Sequence, residues 1–338
     1  KIVIMRIAIV KLSALGDIVH SMVALQFIKK FNKEISIDWV VEDSYKELLE
    51  GNPDIKQVHL INLRKAKKKK SLLLLLSELN KARKLGPYDI VIDLQGLIKS
   101  ALISKLIPAK KTIGFDKESI REGFASFFYS DKFNFSYDKN IIERNKALVE
   151  YALGLTISKQ EIQQKAAFLF PSKNQLDIKL STFKKNILLI PGASHISKSY
   201  PHEKLAELTT LIDANFFVIW GSKKEKIMAN NIKELSDNVI ICNQLRLDHL
   251  MLFISKVDLV IGPDTGPTHI AWAMNIPSIT LFGPTPGYRN TFKTIINKTI
   301  ESDSNVNPRK INKKDLSIKN IEVSDIVKMS QEILQISL

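Results

Sequence analysis

Apolar residues in this chain gather in short β-branched runs, each followed by a stretch with helical spacing. Residues 7–11, 36–41 and 89–93 read as strands in the first half. Residues 186–190, 216–220, 239–242, 259–262 and 278–282 repeat the pattern in the second. Runs of consecutive apolar positions suit strands buried on both faces, as in a parallel sheet covered by helices. Two such blocks predict an α/β protein of two doubly wound, Rossmann-like domains. The polar stretch 156–164 and the segment 171–185 carry the boundary, giving an N-terminal domain over 1–160 and a C-terminal domain over 161–315. After a polar loop over 302–319, Val323, Ile326, Val327 and Leu334 return at helical spacing behind Ser324 as N-cap, so 316–338 is expected to pack back as a helix. Doubly wound sheets bind ligands beyond the carboxyl ends of their strands, so functional side chains are expected just after strands, in the cleft of two facing domains.

Composition narrows the class. With 45% hydrophobic and 25% charged residues among 338, the chain is a folded protein. Its 50 Lys+Arg against 35 Asp+Glu leave a net charge of +15, which favours polyanionic partners. The single Cys242 excludes an internal disulfide and a cysteine zinc cage, and suits a reducing cytoplasm. The apolar start is interrupted by Arg6 and reads as a buried strand, not a signal peptide. The leucine run 72–76 is far short of the roughly 20 residues a spanning helix needs. The expectation is therefore a cytoplasmic protein.

Five segments carry candidate chemistry. Lys11-Leu-Ser-Ala-Leu-Gly-Asp17 follows the first strand and leads into a helix over 18–30, with Gly16 to turn the chain. Asp17 at that helix start is either a cap or a carboxylate general base held near an acceptor hydroxyl. Gly262-Pro-Asp-Thr-Gly-Pro-Thr-His269 likewise links a strand to a helix. There the N–H groups of Thr265, Gly266 and Thr268 would face an anion such as diphosphate, unless the segment is only a turn with a capping Asp264. Pro191-Gly-Ala-Ser-His-Ile-Ser-Lys-Ser-Tyr-Pro201 ends on Lys198, a cation for a leaving diphosphate or an ordinary surface lysine, with Pro201 starting the next helix. In Trp220-Gly-Ser-Lys-Lys-Glu225 the acid either binds ribose hydroxyls or complements the helix dipole. Arg64-Lys-Ala-Lys-Lys-Lys-Lys70, beside the 72–76 leucines, suits an anionic membrane surface or is a solvated face. Without interleaved aromatics or a nucleic-acid module it argues against DNA or RNA. No P-loop, no dinucleotide G-x-G-x-x-G after a strand and no G-x-S-x-G elbow occurs, and the six His lack metal-ligand spacing.

In this order the motifs resemble the bacterial ADP-heptose:lipopolysaccharide heptosyltransferases, from about residue 5 to about residue 287. Leu15-Gly-Asp17 and Asp264-Thr-Gly266 through His269 are similar to the general hallmarks. Asp93-Leu-Gln-Gly-Leu-Ile-Lys-Ser100 and Ser119-Ile-Arg-Glu-Gly-Phe-Ala-Ser-Phe-Phe-Tyr129 resemble the heptosyltransferase I branch, which adds the first heptose to the Kdo of Kdo-lipid A. The resemblance implies a GT-B fold, an acceptor-binding N-terminal domain, a donor-binding C-terminal domain, and an inverting transfer with neither metal nor cofactor. It makes Asp17 the base and puts Lys198 on the diphosphate with Thr265 and Gly266. It gives heptose hydroxyls to Asp264, ribose to Glu225, and places Ser194 and His269 in the donor site. It brings Kdo-lipid A, at the cytoplasmic face of the inner membrane, to Arg64, Lys67, Lys68, Lys99 and Arg121. Two departures stand out: Tyr200 replaces a frequent Trp, and Ala193 and Ser194 occupy the positions of the donor-loop threonines. The alternatives are a second heptosyltransferase of the family and a non-catalytic basic module for membrane or nucleic acid. The latter has no use for acids at Asp17, Asp264 and Glu225.

Overall fold

In the computed structural model, which describes residues 4–171 and 176–336, the apolar runs form the centres of two wholly parallel six-stranded sheets. Contacts divide the chain between Phe168 and Leu169. Residues 172–175 of the expected boundary segment lie outside the described residues.

The first unit holds β1 (Arg6–Val10), β2 (Ser36–Val41), β3 (Gln57–Leu60), β4 (Tyr88–Asp93), β5 (Ala109–Phe115) and β6 (Asp131–Phe133) in the order β3-β2-β1-β4-β5-β6. Its helices are α1 (Leu15–Met22), α2 (Ala24–Phe31), α3 (Leu63–Lys68), α4 (Leu72–Arg83), α5 (Ile98–Leu106), α6 (Ile141–Leu153) and α7 (Lys159–Gln163). Val10 is opposite Val40 on one side and Asp93 on the other, so β1 is central and buried from Ile7 onward. One face of the sheet packs through Ala8, Val10, Val40 and Val91 onto Ala82 of α4 and Ile103 of α5; α6 covers the other. The helix expected over 18–30 starts earlier, at Leu15, and is interrupted at Val23. Gly16 therefore lies inside α1 and makes no turn.

The second unit repeats this winding with β7 (Asn186–Leu189), β8 (Asn215–Val218), β9 (Val239–Ile241), β10 (Leu259–Pro263), β11 (Ser278–Phe282) and β12 (Asn297–Glu301), ordered β12-β11-β10-β7-β8-β9. Its helices are α8 (His202–Leu211), α9 (Lys223–Leu235), α10 (Leu247–Ile254), α11 (Gly266–Ala273), α12 (Gly287–Asn290) and α13 (Val323–Ile336). Ile187, Leu189, Phe216 and Val218 face α8, α9 and α13, while Phe217 meets Phe253 of α10 edge-on at 5.4 Å on the opposite face. Ser324 sits within the first turn of α13, not before it. Pro201 is the N-cap of α8, one residue before the position expected. The segment before α13 is tied down by Tyr200, whose buried hydroxyl donates to the Ile321 carbonyl at 2.8 Å, and by Lys204 at 2.9 Å. In each sheet the winding reverses between two central strands, β1 and β4 or β7 and β10, and such switch points are where doubly wound sheets hold ligands.

Candidate active site

Each switch point carries sequence-predicted residues. In the second unit the loops after β7 and β10 meet through a buried ion pair: Lys198 Nζ lies 3.0 Å from Asp264 Oδ2. The other oxygen, Oδ1, is 3.1 Å from His269 Nε2, one turn into α11, and Asn290 Nδ2 of α12 donates to Oδ2 at 3.2 Å. Burial by itself would raise the Asp264 pKa, but the Lys198 charge and the His269 contact outweigh it and hold the carboxyl far below its usual range. Asp264 is thus a fixed anion with three donors. Asn290 carried no signal in the sequence.

At the start of α11 the Thr265 N–H donates to Thr268 Oγ1 at 3.4 Å, and that hydroxyl donates to the Thr265 and Pro263 carbonyls at 2.7 and 3.1 Å. Of the three N–H groups expected to face an anion, that of Thr265 is thus engaged internally, whereas that of Gly266 has no acceptor among the described residues. Glu225 completes a capping box at the start of α9: its Oε2 accepts from the Gly221 and Ser222 N–H groups at 2.9 and 2.7 Å, and its own N–H donates to Ser222 Oγ at 3.3 Å. Its stem lies over the β7 loop, where a Cβ on Gly192 would come within 2.4 Å of Glu225 Cγ. Only glycine admits that approach. Ser194 is exposed in the same loop.

In the first unit Asp17 is exposed as the third residue of α1, and its Oδ2 accepts from the Ala14 N–H at 3.2 Å. It is a capping residue with one oxygen left to solvent. The loops after β1 and β4 are stitched together beside it. Gln95 Oε1 accepts from the Leu12 and Ser13 N–H groups at 2.7 and 3.2 Å, and Lys11 Nζ donates to the Leu94 carbonyl at 2.9 Å. Lys99 Nζ donates to Ser13 Oγ at 2.9 Å, which brings a cation one residue from the Ala14 that Asp17 caps. Glu42, directly after β2, is buried, and its Oε1 has no partner among the described residues. Burial pushes its pKa up against the pull of Lys99 and Arg64, and burial pushes that of Lys99 down. Glu42 was not among the sequence candidates, although an acid immediately after a strand is itself a signal.

The two longer motifs form one structure. Tyr129 donates to the fully buried Asp93 Oδ2 at 2.8 Å, and Glu122 accepts the Ile98 N–H at 2.9 Å. Gly96, at φ +66°, makes room for Ile120. Their role is to fix the β4 loop, and with it Gln95 and Lys99. Arg64, Lys67, Lys68 and Arg121 are exposed; Lys67 lies close enough to Lys99 to bias its charge.

A sequence profile of glycosyltransferase family 9 (heptosyltransferase) matches residues 77–318. The chain belongs to this family. It is a glycosyltransferase, not a passive basic module. It is 40% identical to a lipopolysaccharide heptosyltransferase 1 of Campylobacter coli, over 97% of this chain and 99% of that protein. It is 28% identical to lipopolysaccharide heptosyltransferase 1 of Escherichia coli K12, over 84% and 89%. A solved structure of E. coli heptosyltransferase WaaC with ADP-2-deoxy-2-fluoro heptose superposes with a TM-score of 0.77 at 23% identity, covering 97% of this chain and 99% of that one. The family-9 fold thus accounts for both sheets. No helix among the described residues is long and apolar enough to cross a membrane.

Proposed function

We propose that this family-9 glycosyltransferase moves L-glycero-D-manno-heptose from ADP-heptose to the Kdo residue of Kdo-lipid A, with inversion and without a metal ion, at the cytoplasmic face of the inner membrane. The observation that carries the reading is the buried Lys198–Asp264–His269 cluster at the second sheet's switch point, in a chain 40% identical to a lipopolysaccharide heptosyltransferase 1. Lys198 supplies positive charge for the departing diphosphate, aided by the unengaged Gly266 N–H at a helix N-terminus. Asp264 keeps lone pairs for heptose hydroxyls, since a carboxylate offers about four acceptor sites. Asp17 takes the proton from the acceptor hydroxyl as its oxygen attacks the anomeric carbon. The bond from that carbon to the diphosphate breaks on the opposite face, and ADP leaves. Arg64, Lys67, Lys68, Lys99 and Arg121 meet the anionic acceptor.

The test is to mix the purified protein with ADP-heptose and Kdo-lipid A in EDTA and weigh the lipid by mass spectrometry. A gain of one heptose is expected. No gain with either metal or EDTA overturns the reading, and a gain confined to acceptor already carrying a heptose makes the protein a second-heptose transferase.

A further inference from the structure

Helix α4 keeps more leucine outside than inside. Ala82 is buried and Leu79 packs against the same core, yet Leu72, Leu73 and Leu76 are 67%, 81% and 50% exposed. A second apolar projection stands nearby. In the turn Gly123–Phe128, Ala125 and Ser126 are buried while Phe124 and Phe127 are 63% and 69% exposed, their rings 5.2 Å apart. Helix α5 links the two, packing against α4 and against this turn. Exposed cations accompany both: Lys67–Lys70 directly precede the leucines, and Lys132 Nζ lies 5.7 Å from the Phe127 ring. The one acid of α4, Glu78, is buried and paired with Lys81 at 2.7 Å.

We infer that this flank of the N-terminal unit inserts into an anionic phospholipid surface through Leu72, Leu73, Leu76, Phe124 and Phe127, with the lysines reaching the headgroup phosphates. The inference rests on the proposed lipid acceptor and names the surface that reaches its membrane. Large exposed apolar side chains rimmed by cations fit the boundary between acyl chains and anionic headgroups. A polyanion in solution would engage the lysines and leave the leucines and phenylalanines wet. A second copy of this chain would bring two Lys67–Lys70 clusters together.

The experiment uses acceptor-free vesicles of phosphatidylcholine and phosphatidylglycerol, so it reads out whether or not heptose is transferred. A Leu72→Ser/Leu73→Ser/Phe124→Ser variant should bind them at least about tenfold more weakly than the unsubstituted protein in co-sedimentation. Its ADP affinity and melting temperature should not change. In a separate Phe127→Trp variant, brominated acyl chains should quench the indole at position 127. Equal vesicle binding by the triple variant, or an indole left unquenched at saturating lipid, overturns the proposal. So does a concentration-dependent dimer that the triple variant abolishes, which would assign the face to self-association.

Discussion

Lys198 Nζ and Asp264 Oδ2 stand 3.0 Å apart with both side chains nearly out of solvent, so neither charge has water to fall back on. Removing one partner of such a pair strands the other and costs about 3–5 kcal/mol, whereas removing both charges is far milder. Lys198→Ala should therefore lower the melting temperature clearly, and Lys198→Ala/Asp264→Asn should recover much of it. ADP affinity should stay low in both, because the cation is missing from each. Calorimetry with ADP titration checks the pattern; a double variant no more stable than the single would show that the pair carries no stability of its own.

Gly192 and Glu225 give a second test. A methyl group on Gly192 would overlap Glu225 Cγ, so Gly192→Ala should push the carboxylate off the Gly221 and Ser222 N–H groups. Losing that half of the capping box costs about 1 kcal/mol. If Glu225 also holds the ribose, ADP affinity should fall by about tenfold, and Glu225→Gln should fall with it. Unchanged ADP affinity in both variants would leave Glu225 as a cap alone.

The central strands β1, β4, β7, β10 and β11 were legible because consecutive apolar residues are what burial on both faces demands. The strands that the pattern missed have polar faces. β12 is Asn-Lys-Thr-Ile-Glu at a sheet edge, β3 and β6 are only partly buried, and β5 begins with Lys110 and Lys111 in solvent. Site residues that directly follow strands, such as Asp264, could be found from position alone. Asn290 could not, because it reaches Asp264 from a four-residue helix whose placement depends on tertiary packing. In the anion loop one local pairing was not legible: the Thr265 N–H turns to Thr268 Oγ1 at 3.4 Å, a contact that depends on the side-chain rotamer and not on the spacing.

Lys165 offers a pH test away from the site. It is buried, with Nζ 5.4 Å from the Phe168 ring, and burial brings its pKa down to about 7. A lysine whose folded pKa lies below its unfolded value of roughly 10.4 makes the unfolded chain bind the extra proton between those two values, so its penalty on stability is greatest at and below about pH 7 and fades as pH rises. Lys165→Met should accordingly be more stable than the unsubstituted protein near pH 7, with the gain shrinking towards pH 10. Paired melting curves across that range measure it, and a constant difference would mean that packing, not ionisation, decides.

Asp17→Asn decides the mechanism. The structure gives Asp17 one definite task, accepting the Ala14 N–H through Oδ2, and an asparagine carbonyl can accept the same bond. Asn also caps about as well as Asp, so the stability cost should stay below about 1 kcal/mol. The amide cannot take a proton. If the exposed second oxygen is the general base, turnover should fall about 10²-fold or more at saturating acceptor while ADP affinity and melting temperature hold. That combination separates the two roles, because a cap alone predicts near-normal turnover. Turnover within about fivefold of the unsubstituted enzyme would make Asp17 structural and move the search for the base to Glu42, the buried acid after β2 whose Oε1 has no partner among the described residues.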